Sequence, residues 1–153
     1  MNTNSTRTPC IGICSTTSVG DAICRGCKRY AFEVIRWNGY SESEKEAVLR
    51  RIETLTVQIL QDKFVIMSED QLRSGLERCK LPVNPSVSPY CWLHNLLKKG
   101  PIATLIPGDY GVMLAQDCQQ IPLEELAEQI DEELLVLCAA HFSRYFQRVD
   151  SLA

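Results

Sequence analysis

Residues 8–30 read TPCIGICSTTSVGDAICRGCKRY and place four cysteines, Cys10, Cys14, Cys24 and Cys27, within a short span near the start of the chain. Four thiols this close have a short menu: two disulfides, a redox dithiol, a structural metal site or an iron–sulfur cluster. The spacing is C-x3-C, a nine-residue connection, then C-x2-C. Zinc and iron both favour sets of four thiolates, commonly supplied by two short cysteine pairs that a loop brings together. Gly26, inside the second pair, allows a tight turn that aims two sulfurs at one ion. Val19–Gly20–Asp21 supplies a turn partway along the connecting loop.

A full set of four sulfurs leaves no open position for substrate, which points to a closed structural ion or an electron carrier and away from a catalytic metal. The spacing matches neither four-cysteine ferredoxin pattern, so chemistry alone favours Zn²⁺, with an iron–sulfur cluster as the alternative. A thioredoxin-like dithiol at Cys24 and Cys27 calls for a βαβ setting that the flanking sequence lacks. Arg25, Lys28 and Arg29 carry positive charge that would offset the double negative charge of a metal held by four thiolates. Disulfides depend on the compartment. The N-terminus MNTNSTRTP is polar and has no apolar h-region, so we expect no signal peptide. That implies a cytoplasmic, reducing location, in which clustered cysteines more often bind metal or do redox chemistry. Residues 1–8 are expected to form a disordered tail.

The 153 residues, 45% hydrophobic and 23% charged, suffice for one domain or two small units. No apolar run approaches membrane-spanning length, so no membrane partner is expected. Residues 1–60 carry eight Lys/Arg against six Asp/Glu, and residues 61–153 carry eight against thirteen. Arg25, Lys28, Arg29, Arg36, Arg50 and Arg51 could form a weak nucleic-acid patch, but a small net excess is far from a basic footprint and argues against that partner.

Helical signals dominate the chain beyond the cysteine cluster. Residues 28–39 read as a short helix, with Gly39 as the left-handed residue that often succeeds a helix end. Ser41 and Glu44 stand at capping-box spacing before Val48, Ile52, Leu55 and Ile59, which share one helical stripe. KFVIM, 63–67, reads as a short buried strand, and Ser68 with Gln71 opens another helix. KLPVNPSVSP, 80–89, carries three prolines and is a loop. Ser88 and Pro89 start a helix that Gly100–Pro101 ends. IATLIPGDYGVML, 102–114, suggests a hairpin turning at PGDYG. The last helix opens at Pro122 with acids at its positive end, and its apolar stripe runs Leu123, Leu126, Ile130, Leu134, Leu137, His141 and Tyr145. The expected class is mainly α with a small β-hairpin (α+β). It comprises a tetracysteine metal-binding module over 9–61, with a loop and two helices, and a helical C-terminal domain over 62–153.

Within the first segment, PCIGICS, D-x-x-C-R-G-C-x-R, Glu33, Trp37, then Ser41, Glu44 and AVL resemble a short bacterial family, the domain of unknown function 1289. Its members are often labelled predicted iron–sulfur proteins. The resemblance covers about residues 9–52 and implies that Cys10, Cys14, Cys24 and Cys27 are the metal ligands; no activity comes with it. The chain departs from the family at Lys28, where a small residue is frequent, and in its long C-terminal extension. Glu33 and Trp37 lie four apart and share a helix face. Trp37 could shield the metal while Glu33 bonds a nearby backbone or Arg29, or the two could be a packing tryptophan and a solvated acid.

Cys91-x2-His94 and Cys138-x2-His141 make a second Cys₂His₂ site conceivable, but helical phasing separates them, and core packing explains them better. Cys79 and Cys118 read as structural. No phosphate loop, nucleophile elbow or HExxH is present. The expectation is a non-enzymatic cytoplasmic metal-binding protein, a structural or interaction module that meets another protein. The alternatives are an iron–sulfur redox carrier or sensor and a weak nucleic-acid binder.

Overall fold

A computed structural model describes residues 9, 14–16 and 20–147. The expected tail at 1–8 lies outside the described residues. The chain divides into two compact units, one of Met1–Thr54 with Leu134–Ala153 and one of Leu55–Glu133. The helices are α1 (Ala31–Arg36), α2 (Glu42–Lys63), α3 (Glu69–Arg78), α4 (Pro89–Lys99) and α5 (Leu123–Phe142). The strands β1 (Phe64–Ile66) and β2 (Val112–Leu114) form one two-stranded sheet, so the class is mainly helical with a small antiparallel sheet.

Local chemistry sets the helix starts. The Ser41 hydroxyl accepts from the Glu44 N–H at 3.1 Å, and Glu44 accepts in return from the Ser41 N–H at 3.0 Å. That reciprocal pair satisfies two N–H groups that α2 itself cannot. Ser68 caps α3 by accepting from the Gln71 N–H, and Ser88 caps α4 through the Tyr90 N–H with Pro89 in the first turn. Gly39 differs from expectation. α1 ends in a 3₁₀ turn, Trp37–Gly39, and among the described residues the left-handed glycines are Gly20 and Gly111 instead.

In the unit Leu55–Glu133, the sheet corrects the hairpin expected within 102–114. Ile102–Thr104 and Pro107–Tyr110 are 3₁₀ turns, and Val112–Leu114 pairs with Phe64–Ile66 in the register Phe64↔Leu114, Val65↔Met113, Ile66↔Val112. Gly111 makes the connection to α3 possible. Its φ of +66° turns the chain, its carbonyl accepts from the Met67 and Ser68 N–H groups, and a Cβ there would lie 2.7 Å from the Ser68 carbonyl oxygen. Phe64, Leu72, Leu76, Leu93, Leu96 and Leu126 are among the buried side chains of this unit. Lys63 and Glu133 pair at 2.8 Å on its surface.

In the other unit the C-terminal part of α5 accompanies the N-terminal segment. The stripe of α5 is buried at Leu126, Ile130 and Leu134, as its periodicity predicts. Beyond Leu134 the buried position is Cys138, whereas Tyr145, in a π-helical turn Ser143–Gln147, is exposed. The Phe142 ring meets Tyr30 edge-on, 4.9 Å between centroids, and Tyr30 is fully buried.

Candidate metal centre

Residues Cys24–Arg29 form a tight loop closed by backbone bonds. Cys24 N–H donates to Arg29 O at 2.9 Å, Lys28 N–H donates to Cys24 O at 2.8 Å, and Ile23 bridges Tyr30 in antiparallel fashion. The loop turns at Lys28, whose φ is +66°. This is the left-handed region in which a Cβ is disfavoured. The departure from the resembled family at Lys28 thus falls on the one residue of this loop whose backbone conformation favours glycine. The Lys28 side chain folds back, buried at 2% exposure, and its ammonium donates to the Arg25 carbonyl oxygen.

The turn brings the Cys24 and Cys27 thiols into hydrogen-bonding contact. Burial pushes the Cys24 thiol up, but backbone N–H groups of Cys27, Ser15 and Gly26 and the Cys27 side chain outweigh it, bringing the group down to about 6. Several N–H groups converging on one sulfur make the anion-binding concavity known as a nest. Ser15 follows Cys14 directly, so the segment that carries the first cysteine pair reaches the sulfur of the second. Its hydroxyl also accepts from the Arg25 N–H at 2.8 Å. Gly20, φ +76°, turns the connecting loop as its position suggests, with its N–H on the Thr16 carbonyl. Cys27 has the opposite tendency: burial raises its thiol, and Arg29, whose Nε donates to the sulfur at 3.2 Å, opposes this.

Cys14 is half-buried and Cys10 lies outside the described residues. Among the described residues no three His, Cys, Asp or Glu side chains gather as a metal-holding group. Cys24 and Cys27 are therefore the part of the candidate set whose contact is on view. The thiols of Cys27, Cys79, Cys118 and Cys138 are not in disulfides.

Around this pair, Arg29 is buried and its guanidinium stacks 4.8 Å from the centre of the Trp37 ring. Glu33 is no solvated acid. Its carboxylate accepts from the Tyr30 N–H at 2.8 Å and from both terminal nitrogens of Arg51 at 2.6 and 2.7 Å. Its cationic partner is Arg51 rather than Arg29. Arg51 also lies 4.0 Å over the Tyr30 ring. A signal for Arg51 exists in the sequence: it sits three residues after Val48 and four before Leu55, on the buried stripe of α2. Arg25, by contrast, is exposed and pairs with Asp21 at 3.2 Å. Lys28, Arg29 and Arg51 face inward, so the six basic residues of the N-terminal segment do not form one exposed patch.

Cys91 and His94 stand on α4 in one unit, and Cys138 and His141 stand on α5 in the other. Cys138 is fully buried, and desolvation raises its thiol to about 11 despite the nearby charges of Arg51 and Lys28.

Residues 8–56 match the family described as "Protein of unknown function (DUF1289)". The resemblance read from the cysteine segment is thereby shown for that part of the chain. The uncharacterized protein YdhL of Escherichia coli K12 is 46% identical over 44 residues, 29% of this chain and 53% of that protein. YdhL of Shigella flexneri matches to the same extent. The chain spans about half the length of the curated relatives it matches. No solved structure matches the chain. No helix among the described residues is long and apolar enough to cross a membrane.

Proposed function

We propose that the DUF1289-like segment is a metal-binding module in which Cys10, Cys14, Cys24 and Cys27 hold one closed four-sulfur centre. The observation that carries this reading is the nest of N–H groups on the Cys24 sulfur, beside Cys27. A metal's thiolate ligands need donors to their remaining lone pairs, and the Cys24–Arg29 loop supplies them. The donor chemistry fits Zn²⁺. When bound, the ion would crosslink two loop segments, a contribution on the order of 10–16 kcal/mol in small zinc peptides. That is comparable to the roughly 5–15 kcal/mol of a whole domain. The module is structural or mediates contact with another protein in the cytoplasm, and it carries out no catalysis.

The N–H···S and Arg29···S bonds also support a second reading, because such bonds tune the potential of an iron–sulfur cluster. A nucleic-acid role has less support, with Lys28 and Arg29 buried and Arg51 paired to Glu33. Elemental analysis and an absorption spectrum of protein prepared without oxygen test the proposal. The expected result is about one zinc per chain and no colour. Colour that bleaches on reduction selects the iron–sulfur reading instead. Cys24→Ser and Cys27→Ser should lose the metal and melt early, whereas Cys79→Ser should retain it. Metal-free wild type that melts like metal-loaded protein would refute both metal readings.

A further inference from the structure

Arg29 and Arg51 both turn their guanidinium groups inward, and they differ in what meets the charge. Arg51 is held by both oxygens of Glu33. Arg29 is 3% exposed, and among the described residues no carboxylate pairs with it. Its guanidinium has instead the Cys27 sulfur, 3.2 Å from Nε, and the Trp37 ring, 4.8 Å away. A buried cation without an anion costs free energy. The face of Trp37 offsets part of that cost, but a neutral thiol is only a weak acceptor. We propose that Arg29 is the built-in counter-ion of the four-sulfur centre, so that metal binding supplies the anion this buried charge lacks. The inference rests on the metal reading above and adds the residue that couples occupancy to stability.

Neighbouring cations are committed elsewhere. Arg25 is exposed and pairs with Asp21, and the Lys28 ammonium donates to a backbone carbonyl. Arg29 reaches both members of the C-x2-C pair, because its carbonyl also accepts from the Cys24 N–H at 2.9 Å. Trp37, buried at the C-terminal end of α1, walls the guanidinium against the Cys27 sulfur. A sulfur bound to a metal is an anion, and four of them around Zn²⁺ leave a double negative charge. Opposite signs follow for the two states. Without metal the Arg29 charge is a cost to the fold, and with metal it stabilises the centre. Removing the charge should therefore weaken metal binding without weakening the metal-free protein. A side chain that only fills space would lower both together.

Competition with a chelator of known affinity measures Zn²⁺ binding to the full-length chain, and calorimetry compares the metal-free forms. Arg29→Met keeps an unbranched side chain against Trp37 and removes the charge, whereas Arg29→Lys keeps the charge. Arg29→Met should lower Zn²⁺ affinity by about ten- to hundred-fold. Its metal-free form should melt no lower than metal-free wild type. Arg29→Lys should lose less affinity than Arg29→Met. Equal losses in the two variants, or an Arg29→Met affinity like that of wild type, would overturn the proposal. So would a metal-free Arg29→Met that melts below wild type or does not fold. Wild type that takes up no Zn²⁺ marks a failure of the metal reading itself, and the counter-ion role falls with it. Wild type that binds Zn²⁺ no more tightly than Arg29→Met sinks the counter-ion role alone.

Discussion

Glu33→Gln offers the sharpest test of the electrostatics under the cysteine loop. The Glu33 and Arg51 side chains are 4% and 13% exposed, and three N–H groups converge on one carboxylate at 2.6–2.8 Å. Glutamine keeps the shape but turns one acceptor into a donor, which then faces an N–H group of Arg51 or Tyr30. At least one hydrogen bond to a charged group is lost, about 1.5–3 kcal/mol, and Arg51 keeps a buried charge with no counterion. Removing one partner of a buried pair costs about 3–5 kcal/mol, and the residual exposure of Arg51 places the figure near the lower end, about 3 kcal/mol. For a chain of this size, that is a fall in Tm of roughly 6–12 °C. Calorimetry and urea unfolding measure the loss, and hydrogen exchange should localise it to the Tyr30 N–H. Glu33→Leu with Arg51→Met removes both charges and should recover most of the loss, because replacing a buried pair by apolar groups is often close to neutral. A Glu33→Gln variant that melts within about 1 °C of wild type would refute the reasoning. So would a double variant whose loss equals the sum of the single ones.

Two further outcomes concern packing and pH. Gly75→Ala should destabilise the protein although alanine is the better helix former by about 1 kcal/mol. Its Cβ would fall 2.1 Å from Cδ1 of Tyr110, whose ring is held by Arg78 at 5.4 Å and Cys79 at 3.5 Å, and overpacking of this kind costs about 1–3 kcal/mol. An unchanged or raised Tm would contradict this. For His141, burial first and the Arg51 charge second lower the imidazole, with Glu33 opposing them. The unfolded chain, near 6.5, then takes up a proton before the folded one does. Stability attributable to His141 is therefore present above about pH 6.5 and declines as pH falls towards the folded value. Urea midpoints from pH 7.5 to 5.5 should drop more steeply for wild type than for His141→Asn; equal slopes would show that His141 is not the group involved.

Neighbours along the chain settle the helix starts. Ser41 with Glu44, Ser68 with Gln71 and Ser88 with Pro89 open helices because each cap closes a bond within two or three residues. The buried stripes of α2 and α5 are equally legible, because helical period alone decides which side chains share a face. The cysteine spacing, too, was legible, since two thiols separated by two residues can meet only through a local turn.

Packing governs everything that depends on residues far apart. IATLI has strand character, yet Phe64–Ile66 takes its place beside Val112–Leu114, because pairing is chosen by which apolar side chains, Phe64 and Val112 among them, can be buried together. Arg51, eighteen residues from Glu33, becomes its partner only when α2 packs over Tyr30. Arg29 leaves the surface for Trp37 and the Cys27 sulfur, and the left-handed residue of the loop is Lys28 rather than a glycine. Burial is what these cases share. A charge or a strained φ costs free energy that local sequence cannot offset, and only packed neighbours with matching hydrogen bonds make it tolerable.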